Sequence, residues 1–184
     1  EKALVITVGP EVKSGDPRQS FPEYRSWPPD RYRGLILELI RKYGDHHPKV
    51  IVLGRGAAHF AEGEGSPRTS DRELPPGVFD FSGGTTIAEA VALIACSRLF
   101  IGNDSGLLHV AVALGIPTVA IVGATSSRQV IPPSDRTVVV EKDIPCSPCY
   151  SYAPLREFSC ASAAVCLRSI VVADVMAAVG KLFL

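Results

Sequence analysis

Apolar residues along this chain fall into short continuous runs, separated by stretches in which they recur at helical spacing. The runs over 4–8, 50–53, 78–81, 99–101, 118–122 and 137–140 read as strands. Several are apolar throughout, as strands covered on both faces of a parallel sheet are. A first helix opens at Pro28-Pro29-Asp30 and sets Tyr32, Leu35, Ile36, Leu39 and Ile40 on one face, with proline where a missing N–H costs nothing. A second opens at Thr86-Ile87-Ala88-Glu89, a capping-box spacing, and runs to Cys96. A third starts about Ser105 and ends at Leu114, with Gly115 as the stop signal and Pro117 beyond it. The last, 170–184, is apolar around most of its circumference and is expected to dock on the sheet or on a neighbouring domain. This alternation predicts a doubly wound α/β domain, Rossmann-like, with a mostly parallel sheet. Two segments, 9–27 and 59–77, interleave Gly, Pro and Ser with charge and read as long loops, functional or inserted. No internal repeat or low-complexity tract interrupts the pattern.

Composition narrows the class. A length of 184 residues fits one domain spanning 1–184, and a chain of this size buries roughly two-thirds of its unfolded surface without needing a staple. Hydrophobic residues at 46% and charged residues at 21% exclude a disordered chain. Nineteen basic and nineteen acidic residues cancel, so bulk charge predicts no nucleic-acid partner. The longest apolar stretch, 107–122, contains His109 and Pro117 and falls short of the roughly 20 residues of a membrane span. No signal peptide is visible, and the expected location is the cytoplasm. The chain has no initiator Met and enters a strand-like run at Ala3, as an excised domain does, so part of a longer protein is expected upstream.

The densest chemical signal is Leu99-Phe100-Ile101-Gly102-Asn103-Asp104-Ser105-Gly106-Leu107-Leu108-His109. A strand ends on a small polar turn and a helix begins at once. Free N–H groups and the helix dipole make such a helix start an anion site. Ser105 adds a hydroxyl, Gly106 removes the side chain that would block a phosphate, and His109 follows one helical turn later. Taken singly, Asp104 and Ser105 are ordinary caps and His109 an ordinary core histidine; their combination on one turn points to anion binding. Neither G-x-G-x-x-G nor G-x-x-x-x-G-K-[ST] occurs, so this is neither a standard dinucleotide fingerprint nor a P-loop.

A second cluster, Cys146-x2-Cys149-x10-Cys160-x5-Cys166, has the thiolate count of a tetrahedral structural site for zinc or iron. Free thiols and disulfides are the alternatives; disulfides would require an oxidising compartment. This knuckle, 146–166, falls inside the single domain. His46, His47 and His59 read as surface residues.

From Phe79 to Cys149 the sequence resembles the C-terminal half of the family 9 glycosyltransferases, the heptosyltransferases of lipopolysaccharide synthesis. The matching pieces are Asp80-Phe81-Ser82-Gly83, Thr86 to Glu89, Gly102-Asn103-Asp104-Ser105-Gly106 with His109, Val119-Ala120-Ile121-Val122-Gly123-Ala124-Thr125, and Pro145-Cys146-Ser147-Pro148-Cys149. Upstream, Arg25-Ser26-Trp27-Pro28 resembles the family's basic-x-Trp-Pro segment. The resemblance implies the C-terminal half of a GT-B enzyme, with its active site between two Rossmann-like domains and a nucleotide-sugar donor, typically ADP-heptose, bound to this half. It places the donor diphosphate on the backbone of Ser105 and Gly106, with Asp104 shaping the turn, His109 beside it and Arg25 as the neutralising cation. No metal is implied at the diphosphate, and no D-x-D pair is present to hold one.

The resemblance also marks departures. Gly54-Arg55-Gly56-Ala57-Ala58 stands where an acidic residue would follow the second strand, leaving Glu62 or Glu64 for a ribose contact or as loop carboxylates. The longer first loop brings Lys13 and Arg18 as alternative phosphate contacts. The acceptor domain and the general base belong to an N-terminal half with no counterpart here, so no catalytic base is expected in this chain, and any peripheral membrane association would run through that half. The partners implied are the nucleotide-sugar donor and an N-terminal acceptor-binding domain or chain. Two other classes reuse the same features: a non-catalytic assembly or regulatory module with a metal knuckle, and half of a GT-B sugar-nucleotide epimerase.

Overall fold

The apolar runs become parallel strands because helices cover them from both sides. The computed structural model describes residues 3–7, 26–43, 49–54, 74–149, 160 and 162–183. Its elements are β1 (Ala3–Thr7), α1 (Pro29–Tyr43), β2 (Val50–Leu53), β3 (Val78–Asp80), α2 (Ile87–Ala95), β4 (Ser97–Asn103), α3 (Gly106–Ala113), β5 (Thr118–Ile121), α4 (Ser127–Val130), β6 (Thr137–Val140), α5 (Val165–Arg168) and α6 (Val172–Phe183). The six strands form one sheet in the order β3-β2-β1-β4-β5-β6, and each neighbouring pair is parallel. This is the doubly wound architecture the alternation of patterns predicts.

Successive side chains on a strand leave by opposite faces, and the two cores follow that period. Leu99, Ile101, Val119 and Ile121 pack with Leu35, Ile36 and Leu39 of α1 and with Val175 and Val179 of α6. Phe100 and Ala120 pack on the other side with Ala90 and Ile94 of α2 and Leu108 and Ala111 of α3. Full burial of each large aliphatic or aromatic side chain contributes about 1.5–3 kcal/mol, so these two layers hold the sheet between them. The capping box at α2 is formed: the Thr86 N–H donates to Glu89 Oε2 at 2.8 Å and the Glu89 N–H donates to Thr86 Oγ1 at 3.3 Å. Past α3, Gly115 sits at φ +68°, the left-handed geometry a helix C-terminus favours.

The boundaries differ where tertiary pairing outweighs local pattern. β4 reaches from Ser97 to Asn103 rather than over 99–101, because β1 and β5 pair along both of its edges. The helix predicted from 170 starts at Val172, where Asp174 accepts the Val171 N–H at 2.8 Å. The short helices α4 and α5 were not expected. Apart from 26–27 and 74–77, the two long loops lie outside the described residues. Among the described residues no helix is long and apolar enough to cross a membrane.

One consequence of the strand order positions the site. β1 and β4 are neighbours, but the chain continues from β1 toward β2 and from β4 toward β5, on opposite sides. Diverging connections of this kind mark the C-terminal ends of these two strands as the place where open α/β sheets bind ligands.

Candidate functional site

Asn103 is the last residue of β4 and is fully buried. A buried amide must find partners, and Asn103 has three. Its Oδ1 accepts the Trp27 backbone N–H at 3.2 Å and the Tyr32 hydroxyl, and its Nδ2 donates to the Ile121 carbonyl at 3.4 Å. The Trp27 indole N–H donates to the Ile170 carbonyl at 2.9 Å, and the Trp27 and Tyr32 rings meet edge-on with centroids 5.0 Å apart. Burial pushes the Tyr32 phenol well above its ordinary pKa, so it remains a hydrogen-bond donor. These contacts pin the start of α1 against the end of β4. Arg25, two residues before Trp27, lies outside the described residues, as do Lys13, Arg18, Glu62, Glu64, His46, His47 and His59.

The turn that follows carries the predicted anion-binding residues together. Asp104 is buried, at 4% exposure. Its Oδ2 accepts the Thr125 hydroxyl at 3.0 Å, and its Oδ1 lies 3.5 Å from Nε2 of His109. Ser105 is the N-cap of α3, with extended backbone and no capping bond from its own side chain. Its carbonyl accepts the N–H groups of Leu108 and His109, while the first N–H groups of the helix have no partner within it. Gly106 is exposed, and a Cβ built there would meet nothing within 4 Å. The arrangement therefore offers outward N–H donors, an open approach at Gly106, a half-exposed imidazole and a carboxylate held inward.

Thr125, Asn103 and Tyr32 belong to this assembly too; Asn103 and Thr125 fall inside the matching segments, but the sequence gives none of the three a role. The available signal was a polar residue inside or beside an apolar run, which must be satisfied by something distant. Thr125 lies beyond β5 in a buried stretch, Gly123 to Thr125. At Gly123 an added Cβ would overlap Leu167 Cγ and come within 3.1 Å of Cys166 Sγ, so only glycine lets this turn pass under α5.

The cysteine segment packs on the same turn. The Cys149 N–H donates to the Ala124 carbonyl at 3.0 Å, and the Ser147 hydroxyl donates to the Gly123 carbonyl at 2.7 Å. Cys146 and Cys149 are exposed, Cys160 is half-buried and Cys166 is buried, all as free thiols. Burial raises the Cys149 thiol, and the Cys160 and Cys146 thiols beside it raise it further. Burial likewise raises Cys166, with the other three adding to it against a lowering bond from the Leu167 N–H. The Ala164 N–H donates to Cys160 Sγ at 3.2 Å. The four sulfurs thus share one neighbourhood, yet among the described residues no three His, Cys, Asp or Glu side chains converge as a metal-ligand group.

Comparison with known proteins gives these features a setting. Glycosyltransferase family 9 (heptosyltransferase) matches residues 17–157, over three-quarters of the chain. Lipooligosaccharide heptosyltransferase 2 of Haemophilus influenzae is 31% identical over 124 residues, 67% of this chain and 34% of that protein. Lipopolysaccharide heptosyltransferase 2 of Escherichia coli is 32% identical over the same shares. Among solved structures, E. coli ADP-heptose lps heptosyltransferase II superposes with a TM-score of 0.68 at 22% identity, covering 98% of this chain and 46% of that one. The dodecameric iron-containing heptosyltransferase TibC, solved in complex with ADP-D-beta-D-heptose, gives a TM-score of 0.67 at 22% identity, covering 100% and 45%. At such identities the structural likeness shows the fold. The chain spans only about a third to a half of the length of these relatives.

Proposed function

The chain belongs to glycosyltransferase family 9, and from that premise we propose that it is the donor-binding, C-terminal half of a GT-B glycosyltransferase, moving a heptose or related sugar from ADP-heptose to a glycan or protein acceptor. The observation that carries this reading is the turn at the switch point of the sheet, where Gly106 is open to approach and Asp104 is held inward by Thr125. Relatives named as lipopolysaccharide and lipooligosaccharide heptosyltransferases favour the sugar and the pathway class.

In this mechanism the acceptor oxygen bonds to the anomeric carbon as the bond from that carbon to the diphosphate oxygen breaks. Negative charge then gathers on the departing nucleoside diphosphate. Backbone donors at Ser105 and Gly106, fixed before reaction, stabilise that charge without reorganising, and the N-terminal dipole of α3 adds to them. His109 lines the same side, and Arg25, two residues before Trp27 in the sequence, would supply the neutralising cation. The proton of the acceptor hydroxyl goes to a base in the other half of the enzyme. No metal is assigned to the diphosphate.

The cysteine knuckle is a structural element of the same design. Four soft sulfur donors suit zinc or iron, and the Ala164 N–H already holds Cys160 Sγ in place. Cys146, Cys149, Cys160 and Cys166 would hold the ion, which would cross-link the segment after β6 to α5 and take no part in transfer. The iron-containing TibC supports this reading. The working location is the cytoplasm, with the acceptor-binding half as partner and as the route to any membrane surface.

Calorimetric titration of the chain with ADP, UDP and GDP tests the site. ADP should bind tightest, and Gly106→Val should abolish binding while leaving the melting temperature in place, because a Cβ there has nothing packed within 4 Å of it. Unchanged ADP affinity in that variant removes the diphosphate from this turn.

A further inference from the structure

We infer that Thr125 is a positioning residue of the donor site, acting through Asp104 to keep a negative charge turned away from the bound diphosphate. The inference rests on the donor-site reading above and adds a residue to it.

Asp104 immediately precedes the two residues whose backbone faces the donor. Like charges at close range inside a partly dry site repel strongly, so a carboxylate here is tolerable only if it points elsewhere. The terminal torsion of an aspartate is broad and does not fix that direction by itself. Its contacts include two that bear on that direction: Oδ2 takes the Thr125 hydroxyl at 3.0 Å, and Oδ1 faces His109 Nε2 at 3.5 Å. His109 is half-exposed and part of the ligand side, whereas Thr125 is 4% exposed and comes from a different strand connection, 21 residues away. Thr125 is therefore the internal anchor.

That anchor is itself held firmly. The two residues before it have their carbonyls bonded, Gly123 to the Ser147 hydroxyl and Ala124 to the Cys149 N–H, and Gly123 passes under Leu167 with no room for a side chain. A hydrogen bond to a charged partner from such a fixed donor is worth more than a neutral one. Without it, a buried carboxylate seeks other donors, and the N–H groups that begin α3, two residues on in the chain, are ones the donor diphosphate needs.

ADP titration of the purified chain, with melting temperatures recorded alongside, tests this through a double-mutant cycle. Thr125→Val keeps the shape and removes the hydroxyl; ADP affinity should fall about tenfold. Thr125→Ser keeps the donor and should restore affinity to within about twofold. In an Asp104→Ala background, Thr125→Val should cause no further loss, since no carboxylate remains to orient. Should the valine variant not fold, Thr125→Ala removes the same hydroxyl with less bulk. Wild-type affinity in Thr125→Val, or equal losses with and without Asp104, overturns the inference and leaves the donor site standing. Wild-type affinity in Gly106→Val overturns the donor site and the inference with it.

Discussion

Single positions in this protein do opposite things with the same residue type. Gly106 is open, with nothing within 4 Å of an added Cβ, and Gly123 is closed because Leu167 and Cys166 already fill the space. The second case predicts instability rather than lost binding. Gly123→Ala forces overlap with Leu167 and overpacking of this kind costs about 1–3 kcal/mol; urea unfolding should show a lowered midpoint with an unchanged slope. Retained stability would mean that α5 can shift away at little cost. Residues of this kind differ in how far the sequence discloses them. Asp104, Ser105, Gly106 and His109 sit within six consecutive positions and could be read as one turn. Thr125 and Tyr32 reach that turn across 21 and 71 residues, and no local pattern encodes a contact at that separation.

At the level of elements, the helices whose ends carry their own chemistry were the legible ones. Thr86 and Glu89 announce α2 because both halves of the capping box lie within four residues. Four-residue helices such as α4 and α5 are too short for a periodic signal, and α5 follows Ala163 and Ala164 at positive φ, a geometry alanine does not advertise. β4 outgrew its apolar run because neighbours on both edges supplied partners for Ser97 and Asn103. The start of α6 carries a pH prediction. The bond to Lys142 at 2.9 Å, then the Val171 N–H, lowers the Asp174 carboxyl below its ordinary value. A carboxyl lowered in the folded state adds stability above its unfolded pKa and loses it as pH falls through the folded one. Melting temperature should therefore fall on acidification below about pH 4, and the slope should be shallower in Asp174→Asn. Parallel acid limbs in the two proteins would mean that this bond stabilises nothing.

For the molecule as a whole, the sheet order was recoverable in class but not in sequence of strands. Apolar runs alternating with amphipathic helices specify a doubly wound sheet, whereas the order β3-β2-β1-β4-β5-β6 depends on which connections cross over. Two predictions belong to this scale. On the proposed reading, which assigns the base to an N-terminal half, the chain alone should show no sugar transfer from ADP-heptose to any acceptor; turnover by the chain alone would place the base here. Elemental analysis of chelator-free protein should find about one zinc or iron per chain. Cys149→Ser should lower metal content and melting temperature together while ADP still binds. Metal content unchanged in that variant, or negligible in the parent, would leave the cysteines as plain thiols.

The chain holds one tryptophan, and it is the residue whose backbone joins Asn103 and whose indole joins Ile170. Nature has in effect supplied a single-site optical probe at the contact between the start of α1 and the end of β4. Its emission should be short-wavelength in the native protein, and Tyr32, ring against ring, is placed to pass excitation to it. Release of Trp27 from Asn103 and Ile170 would redden that emission without touching the far-ultraviolet dichroism of the remaining helices. Recording both signals across a denaturant series would therefore time the loosening of this contact against the melting of the domain.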